Sequence, residues 1–571
     1  MPHDSTEPYR LNAPTMDAIA SAIPVAVEPP IMAQLEPHER ARTTRSARTG
    51  IRTCHVAAIV VTWNRKHVAE TVLREIANQQ YALNALDIVI IDNGSADGTT
   101  EHLTETFKPE VVVDNPTAHA HEPAFALVPT QQTNTLGVRS FTVIRNTHNH
   151  GGCGGFNTGL RYVDRYLADP NRERPIDYAW LVDDDVELPA GSLAQLVQTA
   201  ENRPAVGLVG SRAVNMHDRK TTIETTVYFD FASGRMCDTP PHGHPLRRSH
   251  DEWVAEVGGT KGERAFSGQR EVDIASACSL LARWKDVREI GFWDPRFFIY
   301  CDDADWCLRF KRAGRKVLCD LDAIVYHTPW FDKLTPARLY YAQRNAMWVT
   351  RKAFSGIRLK RATAVWYAML LRDAMYAVLH RRLFHASIIM RTLRDAAHDQ
   401  GGKLDDTGPA QESVVDLLAS KRRIVCLCSR EMDVSLARQL HAQVSAAGVS
   451  PEWIEIVRND VPHCEDQPAG TTRIVYAKRL ASKIRRQFPL IASRIDAVVV
   501  FDQVNDMPLL RGSWNVHVDS RAPDKAQAER AGALAVAKAC VIWARTMCTA
   551  VWSTLVISHD TDERTRATSV S

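Results

Sequence analysis

VAAIVVTWNRKHVAETVLREIANQQYALNALDIVIID, Val56–Asp92, carries two apolar, β-branched runs on either side of a helix-forming segment. VAAIVVTW (Val56–Trp63) predicts a buried strand, His67–Gln79 a helix and LDIVIID (Leu86–Asp92) the next strand. Working outward, Asp97–Phe107 predicts a second helix, and strands are expected at Phe141–Arg145, Tyr178–Val182 and Val206–Gly210. A helix at Gly152–Leu167 lies between the first two of these. Strands alternating with amphipathic helices imply an α/β fold with a mostly parallel sheet flanked by helices. Ligands of such sheets sit beyond the carboxyl ends of the strands, so chemistry is sought there.

The strongest such signal is WLVDDDVEL, Trp180–Leu188, where an apolar strand runs into Asp183, Asp184 and Asp185. Three adjacent carboxylates repel one another and call for a cation. Mg or Mn, hard ions that take oxygen ligands and keep open positions for phosphate, suit that role. A second signal is FFIYCDDADWCLRFKRAG, Phe297–Gly314, in which Asp302 and Asp303 precede a helical pattern. Carboxylates there cap a helix, and one facing a cleft also accepts a proton from a hydroxyl. His327 ends the strand-like LDAIVYH; its imidazole either completes a metal site or is structural. NHGGCGGFNTG, Asn149–Gly159, opens a helix with glycines that permit close approach of an anion, and it lacks the pattern of an ATP-type phosphate loop. IIDNGSADGT, Ile90–Thr99, places Asp92 at a strand end, either to bond a nucleobase or ribose or to form a turn into a helix capped by Ser95 or Asp97.

The rest of the 571 residues bounds the function. A formal net charge of +3 and the lack of a basic and aromatic motif argue against nucleic acid. Twelve cysteines without a CxxC pair suit a reducing compartment, and the N-terminus lacks a secretory pattern, so a cytoplasmic location is expected. Residues 1–53 read as largely disordered, with a short helix near Met16–Ile23. Residues 114–140 and Cys237–Gln269 read as long loops. Residues 357–400 are helical and basic, which suits either a peripheral membrane helix or a bundle helix capping the first domain. After a linker at Gly401–Gly408, residues 401–571 predict a small second α/β domain with strands at Arg422–Ser429 and Ala497–Asp502. The apolar Ala531–Ile557 carries Lys538 and Arg545, which favours an interfacial or packed helix over a spanning one.

VVTWNR, IDNGSADGT, NHGGCGGFNTG, DDD, FFIYCDDADW, YHTPW and YYAQRN follow one another between Val56 and Phe354. In that order they resemble family 2 inverting glycosyltransferases of the GT-A fold, most closely the bacterial galactofuranosyltransferases and then the rhamnosyltransferases. The resemblance implies a catalytic domain over residues 54–356. Thr62, Asn64, Arg65, Asp92, Asn93, Asn149, Gly152, Asp183 and Asp184 would hold the donor. Asp183, Asp185 and His327 would ligate Mn or Mg. Asp303 would be the general base, Asp302 would orient the acceptor, and Trp293, Trp306 and Trp330 would contact it.

The implied donor is UDP-galactofuranose, with dTDP-rhamnose as the alternative, and the acceptor a glycan or lipid-linked glycan at the inner membrane face. A homo-oligomer is left open. Two departures stand out: Cys301 replaces a Trp of the galactan-polymerising enzymes, and residues 1–53 cannot form their N-terminal β-sandwich. Two rival classes are a non-catalytic scaffold that binds nucleotide sugar and a sugar nucleotidyltransferase. The intact carboxylates argue against the first. VVTWNRKHV lacks the glycine- and lysine-bearing loop of the second.

Overall fold

A computed structural model describes residues 53–567 apart from 119–121, 170–174, 225–226, 258–266, 330–335, 405–411, 463–468 and several short stretches between 478 and 531. The expected disorder and short helix in residues 1–52 lie outside the described residues, as does Trp330.

The first half of the larger sheet follows the predicted alternation. It comprises β1 (Val56–Thr62), α1 (Lys66–Ala77), β2 (Leu86–Asp92), α2 (Thr99–Phe107), β3 (Val111–Asn115), β4 (Ala126–Pro129), β5 (Ser140–Asn146), α3 (Gly151–Tyr162) and β6 (Tyr178–Asp183). The chain continues through β7 (Val186–Glu187), α4 (Ser192–Glu201), β8 (Val206–Asn215), β9 (Thr222–Glu224), the hairpin β10 (Tyr228–Asp230) and β11 (Arg235–Cys237), and α5 (Arg247–Val257). It closes with β12 (Gln269–Val272), β13 (Ser279–Arg283), α6 (Trp284–Ile290), α7 (Asp302–Arg312) and β14 (Lys316–His327).

The sheet order is β12-β14-β8-β13-β6-β1-β2-β5-β3-β4, with β7 on β14 and β9 on β8. Strands β3, β5, β2, β1 and β6 run parallel, whereas β13 lies antiparallel between β6 and β8. The stretch 114–140, expected as loop, contributes β4, an exposed edge strand paired to β3. Similarly, Cys237–Gln269 contains the helix α5.

Helices on both faces explain the unbroken apolar runs. In β1, Ala57 and Ile59 join one core with Phe156 and Leu160 of α3; Val56, Ala58 and Val60 join the opposite core with Val72, Leu73 and Ile76 of α1. Two glycines let α3 lie close: a Cβ on Gly155 would stand 2.4 Å from Val61, and one on Gly159 2.3 Å from Ile59.

Register then positions the chemistry. Val61 pairs with Asp183 across β1 and β6, so the turn after Thr62 flanks the aspartate triplet. His327 pairs with Val186 across β14 and β7, which carries it back to the same triplet.

Three helices follow, α8 (Pro336–Ala353), α9 (Gly356–Leu379) and α10 (Leu383–Ala397). The second sheet is seven-stranded, built from β15 (Glu412–Ser413), β16 (Arg423–Cys428), β17 (Glu452–Arg458), β18 (Thr471–Tyr476), β19 (Ile495–Phe501), β20 (Gly512–Val518) and β21 (Lys525–Arg530). Its middle, β18-β17-β16-β19-β20, is parallel, with α11 (Val414–Ala419) and α12 (Glu431–Ala446) beside it. The last helix, α13 (Ala533–Ala567), packs on α9 instead: Trp543 donates to the Leu371 carbonyl and Tyr367 bonds Ser553. Part of the expected linker is also packed, with Leu404 buried and its N–H donating to the Tyr341 hydroxyl.

Replacing Gly159 with Ala is expected to overpack α3 against β1 and β2 by about 1–3 kcal/mol. Helix propensity returns about 1 kcal/mol, so urea unfolding should show a net loss.

Candidate active site

Asp183 ends β6, and Asp184 and Asp185 form the turn into β7. The three side chains point to different partners. His327 Nε2 lies 3.3 Å from Asp185 and 3.9 Å from Asp183, and one ligand atom from each of Asp183, Asp185 and His327 falls within 4.8 Å of the others. Two carboxylate oxygens and one imidazole nitrogen, all partly exposed, suit a divalent ion that retains open positions. Asp184 instead turns inward. It accepts from the Thr62 hydroxyl at 2.7 Å and from Arg65 at 3.1 Å, while the same guanidinium nitrogen reaches Asp185 at 2.9 Å. Burial pushes the Asp184 carboxyl up to about 6 against the pull of Arg65.

Several residues expected to hold a donor are therefore already engaged within the protein. Thr62 is buried on Asp184. Asp92 is buried and accepts from the Ser95 N–H and the Thr100 hydroxyl, which closes the turn into α2. The turn reading of this motif holds in part, with Asp97 accepting from the Thr99 N–H at 3.1 Å. Asn64, at φ 54°, donates its N–H to Ser95 and accepts from Ala96, locking the β1 turn to the β2 turn. Asn93 accepts from Asn146 and from the His150 N–H and donates to the Gly151 carbonyl; Asn149 accepts from the Gly151 N–H. These side chains shape the rim. Gly152 stays open, since a Cβ there would meet nothing within 4 Å.

The acceptor-contact expectation for Trp293 and Trp306 is corrected. Both are buried, edge to face, in the core under the site, and the Trp306 indole donates to the Gly291 carbonyl. Trp306 has no exposed surface and Trp293 keeps 4% of its own, too little to form a stacking face for a ligand.

Asp302 and Asp303 open α7, whose N-terminal field favours carboxylates. Asp303 is half-buried and accepts from the Ala304 and Ala277 N–H groups. Burial pushes it up to about 6; those two N–H groups oppose the shift and the nearby Asp183 charge adds to it. Asp302 is driven well above the usual carboxylate range by burial and then by Asp303.

The loop before α7 is where the sequence reading missed most. Phe298, Tyr300 and Cys301 all have φ between 60° and 68°. Non-glycine residues there cost on the order of 1–3 kcal/mol each. The restraint is YYAQRN on α8: the Asn345 amide nitrogen lies 2.8 Å from the carbonyl oxygens of Phe297, Ile299 and Tyr300. Arg344, fully buried, donates to the carbonyls of Arg296, Phe297 and Gly402, to the Tyr340 hydroxyl and to Asn345. Gly151 completes the packing, because a Cβ there would sit 2.0 Å from the Phe298 carbonyl oxygen. The loop brings Tyr300 close enough to Asp183 and Asp185 for their charges to raise its phenol, after the larger effect of burial, with Arg338 opposing. Tyr300, with Arg338 beside it, thus lies near the aspartates; the only sequence signal was the aromatic run before Asp302.

A second group, His67, Glu70 and His102, lies on α1 and α2. Glu70 there is already paired with both Arg74 and His102.

Residues 57–248 match the family model described as Glycosyl transferase family 2. The match takes in β1 to β11 and the aspartate triplet. No curated protein matches the chain. Among solved structures it is similar to the mannosyltransferase PcManGT from Pyrobaculum calidifontis in complex with GDP-Man and Mn2+, at 16% identity and TM-score 0.33 over 69% of this chain and 84% of that one. GalNAc-T7 with UDP, GalNAc and Mn2+ gives 12% and 0.36, covering 57% of this chain and 51% of its own, about half its length. S. aureus TarS 1-349 in complex with UDP-GlcNAc gives 11% and 0.36, covering 61% and 81%.

Asn345→Ala should free the Phe297, Ile299 and Tyr300 carbonyls and speed amide hydrogen exchange in the first turn of α7, while exchange in β1 and β2 stays unchanged.

Proposed function

We propose that this chain is an inverting glycosyltransferase that moves a sugar from a nucleoside diphosphate onto a hydroxyl acceptor. The observation that carries the reading is the convergence of Asp183, Asp185 and His327 beside Asp303 in the first turn of α7. They come from three separate stretches of chain, at the ends of β6 and β14 and the start of α7. A scaffold that merely bound nucleotide would not need the half-buried Asp303. Asp183, Asp185 and His327 would hold Mn or Mg, which when bound supplies positive charge toward a departing diphosphate.

The protein's own groups do the remainder. Arg65 holds Asp184 and Asp185 in place, so the triplet stays spread. Gly152 leaves room at the start of α3, where the helix dipole favours an anion. Asp303 takes the proton of the acceptor hydroxyl as that oxygen attacks the anomeric carbon and the bond to the diphosphate breaks. One displacement on the opposite face inverts configuration. Asp302 orients the acceptor beside it.

The donor is UDP-galactofuranose, on the motifs from VVTWNR to YYAQRN, with dTDP-rhamnose as the alternative. The acceptor is a glycan or lipid-linked glycan, and the enzyme works on the cytoplasmic side. Nucleotide release from a panel of UDP- and dTDP-sugars with Mn tests donor identity.

Asp303→Asn should keep donor binding and lose about a hundred- to ten-thousandfold in turnover, the range of a general base. A near-normal rate in that variant would remove Asp303 from the role. His327→Ala and Asp185→Ala should weaken Mn-dependent nucleotide binding, read by titration with and without chelator. The base must be ionised, so turnover should rise with pH through about 6 and level off above it. Positive charge beside Asp183 would move that limb lower, and a flat profile from pH 5 upward after Asp303→Asn would fit the same assignment.

A further inference from the structure

Large apolar side chains that remain exposed are concentrated on two neighbouring helices. Six are on α13, namely Leu534, Val541, Ile542, Met547, Val551 and Trp552, and four more are on α9; the other described residues contribute six. Ile357, at the start of α9, is 78% exposed. The two helices run antiparallel, since Trp543 meets Leu371 and Ser553 meets Tyr367.

Charge on this surface has one sign. The outer stripe of α13 interleaves its apolar residues with Lys538 and Arg545 and has no acid from Ala533 to Thr554. The outer stripe of α9 carries Arg358, Arg361 and Arg372. Its one acid, Asp373, is half-buried and paired to Arg372 at 2.7 Å. A long apolar stripe bordered only by cations fits an anionic bilayer surface, where apolar burial and electrostatic attraction add.

By length and composition alone, Ala533–Thr554 could cross a membrane. Its inner face argues for lying flat: Ala539, Thr546, Ala550 and Ser553 are buried, and spanning would break the bonds to α9. The basic residues farther along belong to the bundle. Arg382 is buried, and Arg391 and Arg394 pair with Asp395 on α10.

We infer that α9 and α13 together form a docking face for the surface of an anionic lipid bilayer. The bundle behind this face shares a core with Cys301, next to Asp302, so a docked enzyme would hold its cleft in a fixed relation to the membrane. The inference is independent of donor identity and of Asp303.

The test is co-sedimentation of the full chain with phosphatidylcholine vesicles with and without phosphatidylglycerol. The expected result is salt-sensitive binding to the anionic vesicles, weakened about tenfold or more in K538E/R545E and in V541E/W552E. Nucleotide-sugar hydrolysis in free solution should be unchanged in both variants, which shows that they fold. The conservative W552F should lose part of the fluorescence quenching by nitroxide-labelled lipid. Absence of wild-type binding overturns the inference, as does binding that neither double variant weakens. A wild-type dimer that V541E/W552E converts to a monomer also overturns it, because a second copy would then cover the face.

Discussion

A buried guanidinium cannot be left unsatisfied, and Arg344 shows what meeting that requirement does for a fold. Its donors reach the carbonyls of Arg296 and Phe297 on one side and of Gly402 on another, with the plane 4.5 Å from the Trp348 ring. An isolated buried charge costs several kcal/mol, so these acceptors are obligatory. Three of them are backbone oxygens on segments that no regular strand or helix holds. The need of one side chain thereby fixes the course of the loop before Asp302 and of the chain after α10. Asn345 adds its amide to the same loop. Together they hold three left-handed residues that would otherwise relax, and the first turn of α7 inherits its position from them.

The opposite constraint acts at the cleft, where carboxylates accumulate. Asp183, Asp184, Asp185, Asp302 and Asp303 influence one another, and the shifts of Asp184, Asp302 and Asp303 all point upward. Arg65 answers part of this charge by spanning Asp184 and Asp185. Asp183 and Asp185 together still face the His327 imidazole. A protein that spends a strained loop to hold carboxylates this close is poised to receive positive charge there.

How much of this could be read in the sequence follows from how local each cause is. Strands such as Val56–Thr62 are legible because a strand buried on both faces is apolar at every position. The triplet and His327 are legible for a related reason: an apolar run that stops at a carboxylate or imidazole marks a strand end. The direction in which a strand-end side chain points is set by neighbours distant in sequence. Thr62 turns to Asp184, 122 residues away, and Asn93 to Asn146 and Gly151. Both were expected to hold the donor, and both tie one turn to another. Trp293 and Trp306 misled for the opposite reason, because an aromatic beside an acidic motif suits a sugar platform and a core equally well. Tyr300 stayed hidden because nothing local announces a non-glycine residue at φ 68°; its cause lies on α8.

The same reasoning explains why α9 could not be assigned from its composition. A basic, apolar helix can sit in a bundle or on a lipid surface, and only packing decides which side each residue takes. Here Ala539, Thr546, Ala550 and Ser553 of α13 are buried, Trp543 reaches α9, and six other large apolar residues of α13 face out. A helix stabilised by tertiary contact alone would be expected to bury Trp552 and expose Ala550; the structure does the reverse, with Ala550 at 4% and Trp552 at 59%. Close approach through alanine, threonine and serine on the inner face leaves the outer face free for another phase. The inner face of the helix is continuous with the core that touches Cys301, next to the first turn of α7.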